Sequence, residues 1–163
     1  MRKKVLVAQS GGPTVAINAS LAGVIAGVAQ SGDYEVFGAA NGIKGVLDEN
    51  FINLSEFRED VKNGKESVSE IKISQPDGTF DTWSPKSMID RLAITPSMYL
   101  GSCRYKLPSV EEGAEVYEKI FSILDKNDIG MFFYIGGNDS MDTVNVWKEY
   151  RFGYTVCRCS KVY

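Results

Sequence analysis

Two glycine pairs and one arginine are the residues of this sequence whose types and spacing suit phosphate binding. Gly11-Gly12 and Gly136-Gly137 each follow a short apolar run and precede a stretch with helical spacing. Glycine lets a ligand oxygen approach the backbone, and a helix N-terminus presents unpaired N–H groups to an anion. Arg104 lies in a loop between the pairs, and its forked side chain suits bidentate phosphate contacts. The pattern therefore predicts a phosphate site.

Two polar residues after the second glycine pair suit either a metal ion or a helix end. Asn138 and Asp139 stand where a hydrated Mg²⁺ bridging phosphate oxygens could be held. Both residue types are also favoured as helix caps, so both interpretations stay open. Neither glycine pair completes a known nucleotide motif. Pro13 and Ala16 replace glycines of Gly-x-Gly-x-x-Gly, and no lysine follows either pair.

Alternating strands and helices must position these residues. Val5–Ala8 is typical of a strand, helical spacing begins at Val15, and Glu35–Ala40 predicts a second strand. Met131–Ile135 predicts a buried strand, and a helix is expected from about 141 to 150. We therefore expect a three-layer α/β fold whose mostly parallel sheet carries helices on both faces. The glycine turns should then meet in one crevice at the carboxyl ends of the strands.

The remaining stretches carry weaker patterns. Residues 41–45 predict a loop, 54–62 a short helix, and 74–85 a loop or hairpin around a Pro-Asp-Gly turn. Residues 100–105 predict a loop with Arg104 at its tip, and 109–126 a helix with Ser109 at its cap. The first helix has small residues at helical spacing, which predict a small-residue face close to the sheet: Ala16, Ala19, Ser20, Gly23 and Gly27.

Composition excludes several classes of function. The 163 residues suit one domain, and 21 acidic against 18 basic residues argue against a nucleic-acid or anionic-membrane partner. The sequence has no histidine, which excludes Ser-His-Asp and Cys-His catalysis and His-ligated zinc within it. Three cysteines cannot form a fully paired disulfide framework, and Cys157 and Cys159 lack the further ligands that zinc needs. With no signal peptide or membrane span apparent, a reducing cytoplasm is expected.

The last 17 residues differ in charge from the rest. Residues 147–163 contain four basic residues and one acidic residue, and no aliphatic strand or cap is apparent from Arg151 onward. A frayed terminus and the loss of a native continuation are both compatible with this pattern. We therefore predict a domain over residues 1–146 and an atypical tail over 147–163.

Three segments of the sequence resemble the phosphofructokinase family, and they occur in the family's order. The form is most similar to the pyrophosphate-dependent branch. The segments are Ser10-Gly11-Gly12-Pro13-Thr14 with Ile17-Asn18-Ala19-Ser20, then Leu100-Gly101-Ser102-Cys103-Arg104-Tyr105-Lys106, then Ile135-Gly136-Gly137-Asn138-Asp139-Ser140-Met141-Asp142-Thr143. The resemblance implies a Rossmann-like donor-binding domain, truncated, and a homo-oligomer in the full-length family.

The resemblance also implies a reaction and a set of roles. The reaction is phosphoryl transfer to the 1-hydroxyl of fructose 6-phosphate with Mg²⁺, from pyrophosphate or, second, from ATP. Gly11 and Gly12 would contact the donor phosphates through the backbone, and Arg104 and Tyr105 would line the donor site. Gly137–Ser140 would wrap the donor phosphates, with Asn138 where the family commonly has its Mg²⁺-binding aspartate.

Three differences from the pattern of ATP-using family members qualify these expectations. Asp139 replaces the glycine of ATP-using members, and a carboxylate there would repel the α-phosphate of a nucleotide, which favours pyrophosphate. Asn138 offers an amide oxygen, a weaker Mg²⁺ ligand than a carboxylate. The family's Thr-Ile-Asp segment, whose aspartate is the general base, is absent. We therefore expect an N-terminal fragment that is inactive alone, or alternatively a non-catalytic phosphate-binding remnant or interaction module.

Overall fold

The computed structural model describes residues 4–31, 34–57, 71–83, 87–150 and 155–160. The strands and helices alternate along much of the chain. In chain order they are β1 (Lys4–Gln9), α1 (Ile17–Ser31), β2 (Glu35–Ala39), α2 (Ile43–Leu47), β3 (Phe51–Asn53), β4 (Ile71–Ser74), β5 (Phe80–Trp83), α3 (Met88–Ile94), α4 (Val110–Lys126), β6 (Ile129–Gly136), α5 (Asn138–Tyr150) and β7 (Thr155–Ser160).

The main sheet has the strand order β3-β2-β1-β6-β7. Strand β1 pairs in parallel with both β2 and β6, β6 pairs in parallel with β7, and the edge strand β3 is antiparallel to β2. The chain thus leaves β1 toward β2 on one side and later adds β6 on the other. This reversal is a topological switch point, and the crevice it opens lies between the carboxyl ends of β1 and β6. The expected α/β architecture is confirmed.

The core is divided between the two faces of the sheet. Val5 and Val7 of β1 pack with α1 and α3, whereas Leu6 and Ala8 pack with α2, α4 and α5. All four side chains are fully buried. Because successive side chains of a strand point to opposite faces, an uninterrupted apolar run is what a strand covered on both faces requires.

Helix α1 turns a different face to the sheet from the one that the sequence predicts. Aliphatic side chains such as Ile17, Leu21 and Ile25 are buried, whereas Gly23 and Gly27 are exposed. A Cβ atom at either glycine would meet no atom within 4 Å. The prediction of a small-residue face against the sheet is therefore wrong, because the aliphatic face removes more apolar area from water. The small-residue face lines an open apolar groove of about 490 Å³.

The weaker local patterns had mixed outcomes. The hairpin alternative for 74–85 is confirmed by β4 and β5, and the helix over 109–126 by α4. Residues 41–45 are not all loop, because α2 begins at Ile43 after Gly42, whose φ is +66°. The predicted helix over 54–62 lies largely outside the described residues; residues 55–57 are helical.

The end of the chain is more ordered than its pattern indicates. Residues 155–160 form β7, which corrects the expectation that no strand follows Arg151. Helix α5 runs through position 147 without a break, and the Trp147 side chain is fully buried among Phe121 and Phe132. The domain boundary at residue 146 stays a prediction. Within the described ranges, no helix has both the length and the apolarity to cross a membrane.

Candidate functional site

The first glycine turn follows β1 directly and is tied to the end of β6. The backbone N–H of Ser10 donates to the carbonyl of Ile135 at 2.8 Å. Gly11 has a φ of +79°, a left-handed conformation that glycine adopts without a steric penalty. Gly11 and Gly12 are both exposed. The turn therefore presents backbone to solvent at the switch point.

The second glycine segment is tighter than a Gly-Gly loop. Gly136 is the last residue of β6, and α5 begins at Asn138, three residues before the helix start that the sequence predicts. A Cβ at Gly136 would collide with Ser140 Oγ and lie 3.1 Å from the Cβ of Ser10. Only a glycine allows the buried Ser140 and the first turn to approach this closely. Asn138 and Asp139 thus occupy the first turn of α5, where N–H groups lack intrahelical partners.

The arginine loop reaches the first glycine turn through a serine. Residues 101–109 adopt neither helix nor strand, as the sequence predicts for their first part. Ser102 Oγ donates to the carbonyl of Gly11 at 2.9 Å. Arg104, Tyr105 and Lys106 follow, and all three are exposed. The loop therefore carries two cations past the carboxyl end of β1.

These segments border one groove of about 810 Å³. Of the residues that the sequence nominates, Gly11, Arg104, Tyr105 and Ser140 line it, whereas Gly12, Gly137 and Asn138 are not among its described lining residues. The backbone of Asp139 lies in α5, and its side chain is outside what the structure describes. The structure thus brings together residues from all three sequence motifs, while their roles stay predictions.

Charges of both signs surround this groove. Arg104 and Lys106 come from the loop, Glu112 from the first turn of α4, and Asp142 from α5. The first turn of α4 contains Glu111 and Glu112, and the first turn of α5 contains Asp139, so each helix N-terminus carries negative charge of its own.

A tyrosine fixes the far end of the arginine loop. Tyr117 Oη donates to the carbonyl of Pro108 at 2.7 Å, just before α4 begins. Burial, with a smaller contribution from nearby Tyr105, raises the pKa of Tyr117. The phenol therefore stays protonated and keeps donating at neutral pH.

The side chains around the expected Mg²⁺ position limit the kind of metal site that they can form. Among the described residues, no group of three or more His, Cys, Asp or Glu side chains could hold a metal ion. Asn138 is exposed, and Asp142 lies one helical turn after it and lines the groove. Mg²⁺ commonly keeps several waters and takes one or two protein oxygens together with substrate phosphates. The residues therefore fit an ion that arrives on a phosphate, and do not fit a protein cage.

Sequence reasoning missed several groups that line the groove. Lys106 follows Arg104 by two positions, and in extended backbone that spacing places both side chains on the same side. Asp142 follows Asn138 by four positions, which places them on the same face of a helix. Both spacings are readable in the sequence. Tyr117 and Tyr134 also line the groove, but their apolar neighbours gave no indication of a site.

Comparison with known proteins identifies relatives of this chain. A family model described as Phosphofructokinase matches residues 4–161. A pyrophosphate--fructose 6-phosphate 1-phosphotransferase of Xanthomonas campestris pv. campestris (strain B100) is 41% identical over 138 residues, covering 85% of this chain and 26% of that protein. A protein of the same name from Rhodospirillum rubrum is 36% identical over 147 residues, covering 90% of this chain and 28% of that protein.

A solved structure of the same family is also similar to this chain. A pyrophosphate-dependent phosphofructokinase from Nitrosospira multiformis matches 99% of this chain and 34% of its own, with 33% identity and a TM-score of 0.69. The chain spans about a quarter of the length of the curated relatives it matches. The family match runs to residue 161 and so includes most of the stretch over 147–163 that the charge pattern sets apart. Since the family model matches nearly all of its residues, the chain belongs to the phosphofructokinase family.

Proposed function

We propose that this chain carries the phosphoryl-donor site of a pyrophosphate-dependent 6-phosphofructokinase and binds magnesium pyrophosphate in the groove. The observation that supports it most is the meeting of three segments at the β1–β6 switch point. They are the Gly11 turn, the first turn of α5 and the loop that carries Arg104. The names of its relatives favour pyrophosphate as the donor, and ATP is the second candidate.

Each segment has a distinct task in this proposal. Backbone N–H groups at Gly11, Gly12 and the first turn of α5 hold phosphate oxygens, because a helix N-terminus carries partial positive charge. Arg104 supplies a bidentate counter-charge for the phosphoryl group in transfer, and Lys106 adds a point charge beside it. Tyr105 covers the groove beside the arginine, and Ser140 offers a hydroxyl at the start of α5.

Mg²⁺ belongs to the proposal as part of the donor. Asn138, with Asp142 one turn later, would offer oxygens to an ion already bound to pyrophosphate. The ion would neutralise phosphate charge and so ease attack by an acceptor hydroxyl. Asn138 is uncharged, so we expect it to contribute less to metal affinity than an aspartate would.

The acceptor half of the reaction needs a base for the proton of the sugar hydroxyl. No segment of this sequence matches the family's Thr-Ile-Asp segment, whose aspartate removes the proton of the sugar hydroxyl. We therefore propose that fructose 6-phosphate is the acceptor in the full-length relatives, and that this 163-residue chain binds the donor without completing transfer. A non-catalytic phosphate-binding module is the second candidate function, since it would use the same groove and need no acceptor site.

Calorimetric titration of the purified chain with magnesium pyrophosphate tests the proposal. We expect saturable binding at one site, and Arg104→Ala should weaken it about 10- to 100-fold, the effect of losing a hydrogen bond to a charged group. Arg104→Lys should recover part of the affinity, since it restores the charge without the fork. Arg91→Ala is the matched control, because it removes one exposed arginine on α3, outside the groove.

Three results would overturn the proposal in whole or in part. Absence of saturable pyrophosphate binding by the folded chain would remove the donor site altogether. Equal losses in Arg104→Ala and Arg91→Ala would show that net charge, rather than the groove, attracts the anion. Tighter binding of magnesium ATP than of magnesium pyrophosphate would transfer the assignment to the second donor.

A further inference from the structure

Two buried amide side chains join the first glycine turn to the segment that leads into the arginine loop. Gln9 ends β1 and is 0% exposed, and Asn18 lies in the first turn of α1 and is 2% exposed. Neither side chain lines the groove. A buried amide costs stability unless it is hydrogen-bonded, so the partners of these two groups decide what they do.

Their partners are each other and the backbone at residues 95–100. Gln9 Oε1 accepts from the Leu100 N–H at 2.9 Å, and Gln9 Nε2 donates to Asn18 Oδ1 at 3.1 Å. Asn18 Oδ1 also accepts from the Tyr99 N–H at 2.9 Å, and Asn18 Nδ2 donates to the Thr95 carbonyl at 3.0 Å. The two amides therefore hold a segment about 80 to 90 positions away in sequence.

The hydrogen-bonding capacity of this pair is largely used. Gln9 Nε2 gives its second proton to the Ile17 carbonyl at 3.2 Å, so both of its donors are occupied. Asn18 Oδ1 accepts two hydrogen bonds, which occupies both lone pairs. Neither side-chain amide can flip by 180° without breaking hydrogen bonds. Residues 95–100 are therefore held in one position against β1 and α1.

Residues 95–100 lead directly into the arginine loop. Arg104 is four residues beyond Leu100, and residues 101–109 form no helix or strand that would fix the path of the backbone. The Leu100 carbonyl accepts from the Asn41 N–H at 2.7 Å, and Ser102 Oγ binds the Gly11 carbonyl. The anchors at residues 99 and 100 therefore set where the loop crosses the glycine turn.

We propose that Gln9 and Asn18 are positioning residues that hold Arg104 in register with the Gly11 turn. The inference rests on the proposed function, because it assigns the pair to the same phosphate site. This role differs from a role in stability alone. Gln9 and Asn18 do not contact the phosphate, but displacing residues 95–100 should weaken the contribution of Arg104 to phosphate binding.

A double-mutant cycle between Gln9→Met and Arg104→Ala tests the proposal. Methionine matches the length of glutamine but makes none of the three hydrogen bonds. We expect Gln9→Met to weaken binding of magnesium pyrophosphate about tenfold, the loss of one charge-assisted contact. Arg104→Ala should then cost much less in the Gln9→Met background than in the parent. Full additivity of the two losses, or unchanged affinity in Gln9→Met, would overturn the proposal.

A second measurement does not depend on phosphate binding. Cys103 is a half-buried free thiol next to Arg104, and its alkylation can be followed by mass spectrometry of its peptide. We expect Gln9→Met to accelerate labelling of Cys103 about fivefold or more, since local opening exposes a thiol. If the parent chain binds no pyrophosphate, the proposed function fails. The positioning inference then fails too if the labelling rate is also unchanged, and stands on the loop if it rises.

Matched variants separate positioning from stability. Ser87→Ala removes another buried polar group, the cap of α3, whose hydroxyl accepts from the Asp90 N–H. It should lower the melting temperature and leave both pyrophosphate affinity and Cys103 labelling unchanged. If Gln9→Met does not fold, Asn18→Ser takes its place, because it leaves the Gln9–Leu100 bond intact while releasing Tyr99 and Thr95. The same coupling to Arg104 is then required of it.

Discussion

In the proposed donor site, we expect the charges of Arg104 and Asp139 to decide which anions the groove binds. Arg104 is exposed on a loop that lines the groove, and Asp139 lies in the first turn of α5. A carboxylate in the first turn interacts favourably with the helix dipole, so Asp139 stabilises its own helix while lowering the attraction for a further anion. At Asp139, a gain in helix stability is therefore opposed by a weaker attraction for large anions.

We expect Asp139→Gly to tighten binding of magnesium ATP about tenfold, or about 1.4 kcal/mol, because a repulsive charge and its volume are both removed. Asp139→Asn removes the charge and keeps the volume, and should recover only part of that gain. Competition titrations with ATP and pyrophosphate on the three proteins measure the preference. Tight ATP binding in the parent, unchanged by either substitution, would contradict a pyrophosphate-selective site.

At the scale of elements, the orientation of α1 was the main difference from expectation. Both faces of this helix carry a helical repeat, one of small residues and one of aliphatic residues. Local pattern alone does not decide which repeat is buried. In the structure the aliphatic repeat packs on β1 and β2, because burying branched side chains removes more apolar surface from water.

We expect Gly23→Ala and Gly27→Ala each to stabilise the chain by about 0.5–1 kcal/mol, the usual gain in an exposed helix interior. Gly113→Ala is the contrasting variant. Gly113 has non-helical dihedral angles within α4, and an added Cβ would strike the ring of Pro108. It should destabilise the chain by about 1–3 kcal/mol. Urea unfolding measures all three, and destabilisation by the α1 substitutions would mean that the small-residue face is the packed one.

At the scale of the whole molecule, the core extends into the stretch that the charge pattern sets apart. The Trp147 ring stacks on Phe132 with centroids 4.9 Å apart and lies 5.8 Å from Phe121. Beyond it, β7 continues the sheet beside β6. Trp147 and strand β7 therefore belong to the same core and sheet as β1 and β6, the strands whose ends border the groove.

We expect Trp147→Ala to destabilise the folded chain by about 3–5 kcal/mol, the cost of a large core cavity. Trp147→Phe should cost less, because it keeps a ring and removes a buried indole N–H that has no described partner. Val15→Ala, at a side chain 73% exposed, is the control and should change stability by less than about 0.5 kcal/mol. Equal effects of Trp147→Ala and Val15→Ala would place position 147 outside the core.

We expect the 163-residue chain to form no measurable fructose 1,6-bisphosphate from fructose 6-phosphate with either donor. Transfer requires an acceptor hydroxyl held in line and a base for its proton, and losing the base alone costs about 10²–10⁴-fold. A coupled assay with Mg²⁺ measures the product. Turnover of roughly 1–100 s⁻¹ would show that this chain holds an acceptor site of its own.

By itself, the sequence determined most of the alternating strands and helices, together with the local turns and the loop that border the groove. The strand–glycine–helix units, the loop of Arg104 and the long helix α4 each depend on residues adjacent in the chain, so their patterns are readable without partners. The earlier start of α5 escaped prediction because Asn, Asp and Ser suit both a loop and a first helical turn.

Only the tertiary structure decided which side chains are buried and which distant elements pack together. The burial of Trp147, the pairing of β7 with β6 and the exposed glycines of α1 each depend on elements distant in sequence. The same holds for Gln9 and Asn18, which read as ordinary polar residues until residues 95–100 lie against them. A buried amide needs partners, and which backbone supplies them is settled when the layers pack, not by the neighbours in the chain.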